Sequence, residues 1–126
     1  MGPNNYEEAE RRIAEAKASG TTKLCLDNFG IKRLPKNLCA LTALQHLSLS
    51  NCDRLTDVSG LSVLPCLQQI DLSLSLAKLL KAHLSGYSQR MDVSVLSTLA
   101  SLQYLNLSGR NLQEVNGLNT LTGRLH

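Results

Sequence analysis

Three residues near the middle of the chain have the side-chain types of a hydrolytic triad: His46, Ser48 and Asp71. A serine becomes a strong nucleophile when a base within hydrogen-bond distance accepts its proton. His46 and Ser48 are two positions apart, so on a strand they would point the same way about 7 Å from each other. That separation is too long for a direct bond, and the sequence offers no oxyanion donors. We therefore expect no catalytic residues and no enzymatic activity.

The cysteines and histidines do not have the spacing of a metal site. Cys25 and His46 would adjoin on neighbouring strands, but two ligands are fewer than a zinc site uses. No C-x-x-C, H-E-x-x-H or glycine-rich phosphate loop occurs. We expect no metal, no cofactor and reduced thiols, as in a cytoplasmic protein. The four cysteines are Cys25, Cys39, Cys52 and Cys66.

Composition and charge bound the classes of partner. The chain has 126 residues, enough for one domain, and a net charge of only +3. It has three tyrosines, one phenylalanine and no tryptophan, too few rings for a base-stacking platform. Its apolar runs are short and no signal peptide is recognisable at the N-terminus. We expect neither a nucleic-acid partner nor a membrane partner.

An internal repeat organises the sequence. The segments DVSGLSVLPCL (57–67) and DVSVLSTLASL (92–102) are identical at seven of eleven positions. Each runs into a shared pattern, and related patterns begin at residues 21 and 44. We call the four copies repeats one to four; they begin at residues 21, 44, 67 and 102, and are separated by 23, 23 and 35 residues. The unit is therefore 23 residues long, with an insertion at 74–90.

The periodicity within each repeat predicts its local structure. Alternating leucines in the first half, such as Leu47 and Leu49, predict a short strand with one buried side. A three-residue period in the second half (Leu61, Leu64, Leu67) favours a 3₁₀ or short helical turn. Stacked repeats would form an α/β fold with a short parallel sheet. Residues 1–20 are predicted to supply a capping helix, with Asn5 as N-cap and a stop at Gly20, and residues 21–126 the repeat domain.

The pattern L-x-x-L-x-L-x-x-C, formed by Leu44, Leu47, Leu49 and Cys52, resembles the leucine-rich-repeat family. Its continuation Leu55-Thr56-Asp57 is similar to the cysteine-containing subtype. The lead-in AERRIAEAKASGTTKLCLD is similar to the repeat arrays of bacterial Roco-type proteins. The resemblance implies a right-handed solenoid of about four 23-residue repeats with the sheet on its concave face. It also implies a structural, inward-facing role for Cys52.

The resemblance further implies a function, because leucine-rich repeats generally bind partners on the concave face. The outward positions of the four strands form rows across the sheet. We predict that this face binds a protein partner, whose identity the sequence does not give. The predicted contact residues are Lys23, His46, Ser48, Gln69, Asp71, Tyr104 and Asn106.

The insertion at 74–90 predicts an amphipathic helix capped by Ser75 and ended by Gly86. Its apolar face would comprise Leu76, Leu79, Leu80, His83 and Leu84. Two interpretations follow: a docking or self-association surface with contacts from Lys78, Lys81 and Arg90, or a helix packed on the neighbouring loops. We expect the packed helix, because an exposed leucine stripe would be a liability in a soluble protein.

The C-terminal end of the repeats predicts no cap comparable to the N-terminal helix, since repeat four stops within its second half. Repeat arrays need polar caps. We therefore expect a fragment, a longer array or a homo-oligomer formed through this edge or through the insert. Two alternative functions follow: a recognition or regulatory segment of a larger protein, such as a Roco-type GTPase or a bacterial effector, or a self-assembling structural unit.

Overall fold

The computed structural model describes residues 6–86, 90–110 and 115–117. These residues form a mixed α/β structure with two α-helices, three short 3₁₀ helices (η) and short parallel strands. The elements in chain order are α1 (Tyr6–Ser19), β1 (Lys23–Cys25), η1 (Lys36–Ala40), β2 (His46–Ser48), η2 (Ser59–Val63), β3 (Gln69–Asp71), α2 (Leu76–Leu84), β4 (Met91–Asp92), η3 (Ser94–Thr98), β5 (Tyr104–Asn106) and β6 (Val115–Asn116). The predicted class, α/β with a short parallel sheet, is confirmed.

The main sheet has four parallel strands in the order β1-β2-β3-β5. Its register joins equivalent repeat positions, for example Leu24 with Leu47 and Leu47 with Ile70. These middle residues are buried, and so are the leucines that directly follow the first three strands: Leu26, Leu49 and Leu72, each with 0% exposure. The alternation of leucines therefore gives the strands one buried side, as predicted.

The second half of each repeat supplies the opposite wall of the core. Leu61, Leu64 and Leu67 are fully buried; Leu61 lies within η2, Leu64 is its C-cap, and each of the three amides donates to the carbonyl three residues earlier. Leu96, Leu99 and Leu102 have the same role beside η3. Because three residues complete one 3₁₀ turn, such spacing keeps the leucines on one side. The predicted turns are present, and they are 3₁₀ helices.

Helix α1 packs against η1 through a narrow apolar stripe of Ala9, Ile13 and Ala16. It ends at Gly20, as predicted, where φ is +71° and the amide donates to the Ala16 carbonyl at 3.0 Å. A glycine adopts this left-handed conformation without the steric cost of a side chain. Asn5, the predicted N-cap, lies outside the described residues.

Helix α2 begins and ends where the sequence predicts, but its leucine face points to solvent rather than to the body of the protein. The Ser75 hydroxyl accepts a hydrogen bond from the Lys78 amide at 3.2 Å, and Gly86 follows the helix with φ +76°. The expected packing of the leucine face is wrong: Leu76, Leu80 and Leu84 are exposed, as is His83, and Leu79 is half-buried.

The physical reason for this orientation is a small residue on the other side of α2. Ala82 is fully buried and Lys78 is half-buried, so the helix meets the body through a methyl group. A short side chain permits a close approach of the helix. Leu74 before the helix and Met91 after it are buried, and they anchor both ends of the insertion in the body.

Strands β4 and β6 form a second, two-stranded parallel sheet, and an isolated parallel bridge joins Arg33 to Asp57. Neither α-helix in the described part of the chain is long and apolar enough to cross a bilayer. Residues 118–126, where the uncapped edge was expected, lie outside the described residues.

Candidate functional site

The outward side of the main sheet forms an open groove with a cavity volume of about 410 Å³. Strands β1, β2, β3 and β5 position the side chains, because parallel in-register pairing places equivalent residues of successive repeats side by side. Six of the seven predicted contact residues line this groove, and Asn106 is outside its lining. The groove is lined by Lys23, Leu24, Cys25, His46, Leu47, Ser48, Gln69, Ile70, Asp71 and Tyr104.

The first outward row contains the side chains that face solvent most openly. It comprises Lys23, His46, Gln69 and Tyr104, paired in that order across the sheet. Lys23, Gln69 and Tyr104 are exposed; the Tyr104 ring, at 47% exposure, is the largest exposed side chain of the groove. His46 Nδ1 lies 3.0 Å from Gln69 Oε1. This row combines one cation, one ring and hydrogen-bonding groups on a fixed spacing.

The second outward row comprises Cys25, Ser48, Asp71 and Asn106, and its last two members bond to the backbone at the strand ends. Asp71 Oδ1 accepts a hydrogen bond from the Ser73 amide at 2.9 Å, and Asn106 Oδ1 accepts one from the Ser108 amide at 2.9 Å. Side-chain oxygens of Asp and Asn often satisfy an amide two residues later in this way. Both residues therefore hold the turn after their strand, and they are weaker candidates for partner contact than the first row.

The same turn recurs in the second halves of repeats two and three. Asp57 Oδ1 accepts from the Ser59 amide and Asp92 Oδ1 from the Ser94 amide, each at 2.9 Å. These bonds lower the pKa of both carboxyl groups. A recurring Asp/Asn-x-Ser triplet in the sequence could have predicted these turns. Grouping residues by their outward position on the strands does not reveal it.

Asp27 is a structural residue that the list of contact residues omitted. Its Oδ1 accepts from the Ser48 hydroxyl at 2.5 Å and from the Ser50 amide at 2.9 Å. It therefore connects the ends of β1 and β2. The in-register stacking of the repeats places the Asp27 carboxylate beside the serines of the next repeat, and this could have predicted its structural role.

The residues of the triad hypothesis bond to other groups. The Ser48 hydroxyl donates to Asp27 rather than to a histidine, and His46 pairs with Gln69. The Asp71 carboxylate accepts from the Ser73 amide. Among the described residues, no group of three His, Cys, Asp or Glu side chains could hold a metal ion.

Cys52 lies on the inner side of the sheet and is fully buried. Its thiol donates to the Leu26 carbonyl of the preceding repeat at 3.1 Å. Burial raises the pKa of Cys52 to about 11, so the thiol is protonated and unreactive at neutral pH. The inward position expected for Cys52 is the one observed.

Arg110 occupies the position of Cys52 in repeat four. It is buried, and its Nε donates to the Leu72 carbonyl of repeat three at 2.5 Å. The guanidinium thus makes the bond to the preceding repeat that the thiol makes in repeat two. Arg110 stands where the repeat pattern has a cysteine, and such a change of residue type does not reveal that the hydrogen bond is retained.

The predicted contact residues of the insert lie apart from the groove lining. Lys78 is half-buried on α2, whereas Lys81 and Arg90 are exposed.

A scan of protein-family models finds none that matches the chain, and a search of curated proteins finds no similar sequence.

Proposed function

We propose that the chain is a leucine-rich-repeat solenoid that binds a protein partner on the concave face of its main sheet. The repeat spacing and the L-x-x-L-x-L-x-x-C pattern support the solenoid. The in-register order β1-β2-β3-β5 supports it too, as do the 3₁₀ segments on the opposite side of the core. Rows of equivalent positions then form one continuous surface.

The first outward row carries the argument for binding. Its members Lys23, Gln69 and Tyr104 are exposed and line one groove. Within the described residues, the hydrogen bond between His46 and Gln69 is the bond that ties this row together. Tyrosine is enriched among residues that dominate interface energies, because its ring buries a large area at little entropic cost.

The chemistry of the row favours a protein over other ligands. The groove is open and offers separated polar groups around a ring, whereas small-molecule pockets enclose most of their ligand. A polar rim with one aromatic anchor is typical of a modest, hydrated protein interface. We therefore assign recognition to Tyr104 and Gln69, with Lys23 and His46 as secondary contacts, and assign Asp71 and Asn106 to holding the strand ends.

Affinity capture from the source lysate, followed by titration of the purified captured protein, tests this proposal. The test variant is Tyr104→Ala with Gln69→Ala. We expect its affinity to fall by at least about tenfold, which corresponds to roughly 1.4 kcal/mol. The control is Val63→Gln, an exposed apolar position on η2, and its affinity should match the wild type. Circular dichroism checks that all variants fold.

A second variant distinguishes the groove from the insert. Lys78→Glu with Lys81→Glu reverses the charge of α2 and leaves the groove unchanged. If the captured protein is lost with this variant and retained by Tyr104→Ala with Gln69→Ala, the concave-face proposal is overturned. Capture of the chain by itself alone would also overturn it, in favour of self-assembly.

A further inference from the structure

The outer side of α2 carries an apolar stripe that faces solvent. Leu76 is 70% exposed, Leu80 is 51% exposed and Leu84 is 84% exposed. These residues are four apart, so they lie one above the other on one side of the helix. Over eight residues the stripe is about 12 Å long. Burial of Ala82 on the opposite side fixes this orientation.

A positive charge lies at the edge of this stripe, in a segment of the sequence that contains no acidic residue. The sequence from 72 to 91 contains Lys78, Lys81 and Arg90 and no aspartate or glutamate. Lys81 is exposed on α2 three residues before Leu84, and therefore lies beside the stripe, whereas Lys78 is half-buried on the side that faces the body. An exposed apolar row with a lysine at its edge is complementary to an apolar row flanked by carboxylates.

We propose that the outer face of α2 docks an acidic amphipathic helix of another protein. Leucines at one-turn spacing match the i, i+3, i+4 and i+7 anchors by which such helices bind an apolar surface. Carboxylates beside those anchors would pair with Lys81 at the edge of the stripe. This surface is separate from the concave groove, so the chain has two binding faces.

A second copy of the chain is a poorer occupant. Two α2 helices side by side would bring like charges together, because neither copy carries an acid in this segment. The apolar residues of the acidic helix α1, Ala9, Ile13 and Ala16, are already buried within their own chain. Neither helix therefore presents a complementary acidic and apolar face.

An anionic bilayer is also a poorer occupant than a helix. Stable membrane anchoring by an amphipathic segment requires a large apolar face together with several basic residues. Helix α2 has nine residues, with three exposed leucines and two lysines. A partner helix buries the same three leucines between two protein surfaces.

Titration of the full chain with two designed helical peptides tests the proposal. The first peptide has a leucine row flanked by glutamates, and the second has the same leucine row flanked by lysines. The protein variants are Leu80→Gln with Leu84→Gln, Lys81→Glu, and Val63→Gln as a matched exposed control. Fluorescence anisotropy measures the affinities, and circular dichroism checks that each variant folds.

We expect the glutamate peptide to bind with micromolar affinity and to lose at least about tenfold of it on Leu80→Gln with Leu84→Gln. Lys81→Glu and added salt should weaken binding by a smaller factor, and Val63→Gln should leave it unchanged. Absence of binding, equal binding by the leucine-to-glutamine variant, or equal binding of both peptides would each overturn the proposal.

Two further measurements identify the competing occupants. Co-sedimentation with phosphatidylcholine vesicles that contain phosphatidylserine reports a bilayer, and sedimentation velocity of the protein alone reports a second copy. Loss of either signal on Leu80→Gln with Leu84→Gln, while the glutamate peptide fails to bind, overturns the proposal in favour of that occupant. Neither result depends on Tyr104 or Gln69, so the concave-face proposal is tested separately.

Discussion

Repeats two and three begin with the same strand structure and diverge within the turn that follows the strand. Their strands pair in register, with Leu47 beside Ile70, and Leu49 and Leu72 are both fully buried. Two residues later, Asn51 has a φ of +62°, a left-handed conformation that asparagine tolerates. Repeat three has Leu74 at this position, and a bulky residue disfavours that conformation. The insertion begins at the position where the repeat requires a left-handed turn.

The next position completes the separation. Cys52 in repeat two turns inward and donates to the Leu26 carbonyl. Ser75 in repeat three turns outward, caps α2 and accepts from the Lys78 amide. Cys52 therefore packs into the core, whereas Ser75 at the equivalent position begins a helix. The comparison teaches that a repeat can preserve its strand and reassign its loop to a new surface.

The largest expected difference in stability is between truncation of a buried leucine and truncation of an exposed one. Leu49→Ala removes a fully buried side chain, and we expect the free energy of unfolding to fall by about 2–5 kcal/mol. Leu84→Ala removes a side chain that is 84% exposed, and the change should stay within about 0.5 kcal/mol. Urea unfolding followed by circular dichroism measures both. Equal destabilisation would mean that α2 buries its leucines in solution.

The Cys52 thiol predicts the next largest effect, at alkaline pH. Burial raises its pKa from an ordinary value of 9.0 to about 11, so the folded state favours the protonated form. The resulting stability is complete below pH 9 and is lost as the pH rises towards 11, by roughly 3 kcal/mol in total.

The matched control is Cys52→Ala, which has no group to titrate at this position. The difference in unfolding free energy between wild type and variant should shrink between pH 9 and 11. All other titratable groups are the same in both proteins, so their contribution cancels. A constant difference over this range would show that water reaches the thiol.

Most of the regular part of this fold could be predicted from the sequence, and the orientation of the irregular part could not. The spacing of Leu61, Leu64 and Leu67 specifies the 3₁₀ segment, and Ser75 with Gly86 specifies the ends of α2. Periodicity identifies the apolar face of a helix without saying which face meets the body. Burial of Ala82 determines which face of α2 meets the body. This alanine is overlooked when only large apolar residues are considered.

The candidate site divides in the same way. Repeat spacing is sufficient to place Lys23, His46, Gln69 and Tyr104 in one row, because in-register pairing follows from the period. It does not reveal that Asp71 is held by the Ser73 amide at 2.9 Å. Outward position and local hydrogen bonding are independent properties of a side chain, so the sequence overestimates the number of contact residues.

Removing the Ser75 cap is expected to produce a moderate, local effect. Ser75→Ala deletes the acceptor of the Lys78 amide and should destabilise α2 by about 1 kcal/mol. Hydrogen exchange at the Lys78 and Leu79 amides should accelerate, while exchange in β2 and β3 stays unchanged. Ser85→Ala, at the other end of the same helix, is the control. Acceleration throughout the sheet would mean that the insert and the repeats unfold as one unit.

The smallest expected effect compares Asp57 of repeat two with its equivalent Asp92 of repeat three. Both pKa values are lowered from an ordinary 3.8, mainly by hydrogen bonds from Ser59 and Ser94. A lowered pKa gives stability that is complete above pH 3.8 and is lost as the pH falls through the folded value. The Arg33 guanidinium lowers the pKa of Asp57 further, whereas hydrogen bonds from Ser94 account for the lowered pKa of Asp92.

The variants Asp57→Asn and Asp92→Asn keep the acceptor oxygen and remove the charge, so each should flatten the acid side of the stability curve. We expect the effect of Asp57→Asn to be the larger and to decrease with added salt, because its charge interaction with Arg33 is screened. The effect of Asp92→Asn should depend little on salt. Acid titrations of unfolding at low and high ionic strength measure both, and equal salt dependence would contradict the role assigned to Arg33.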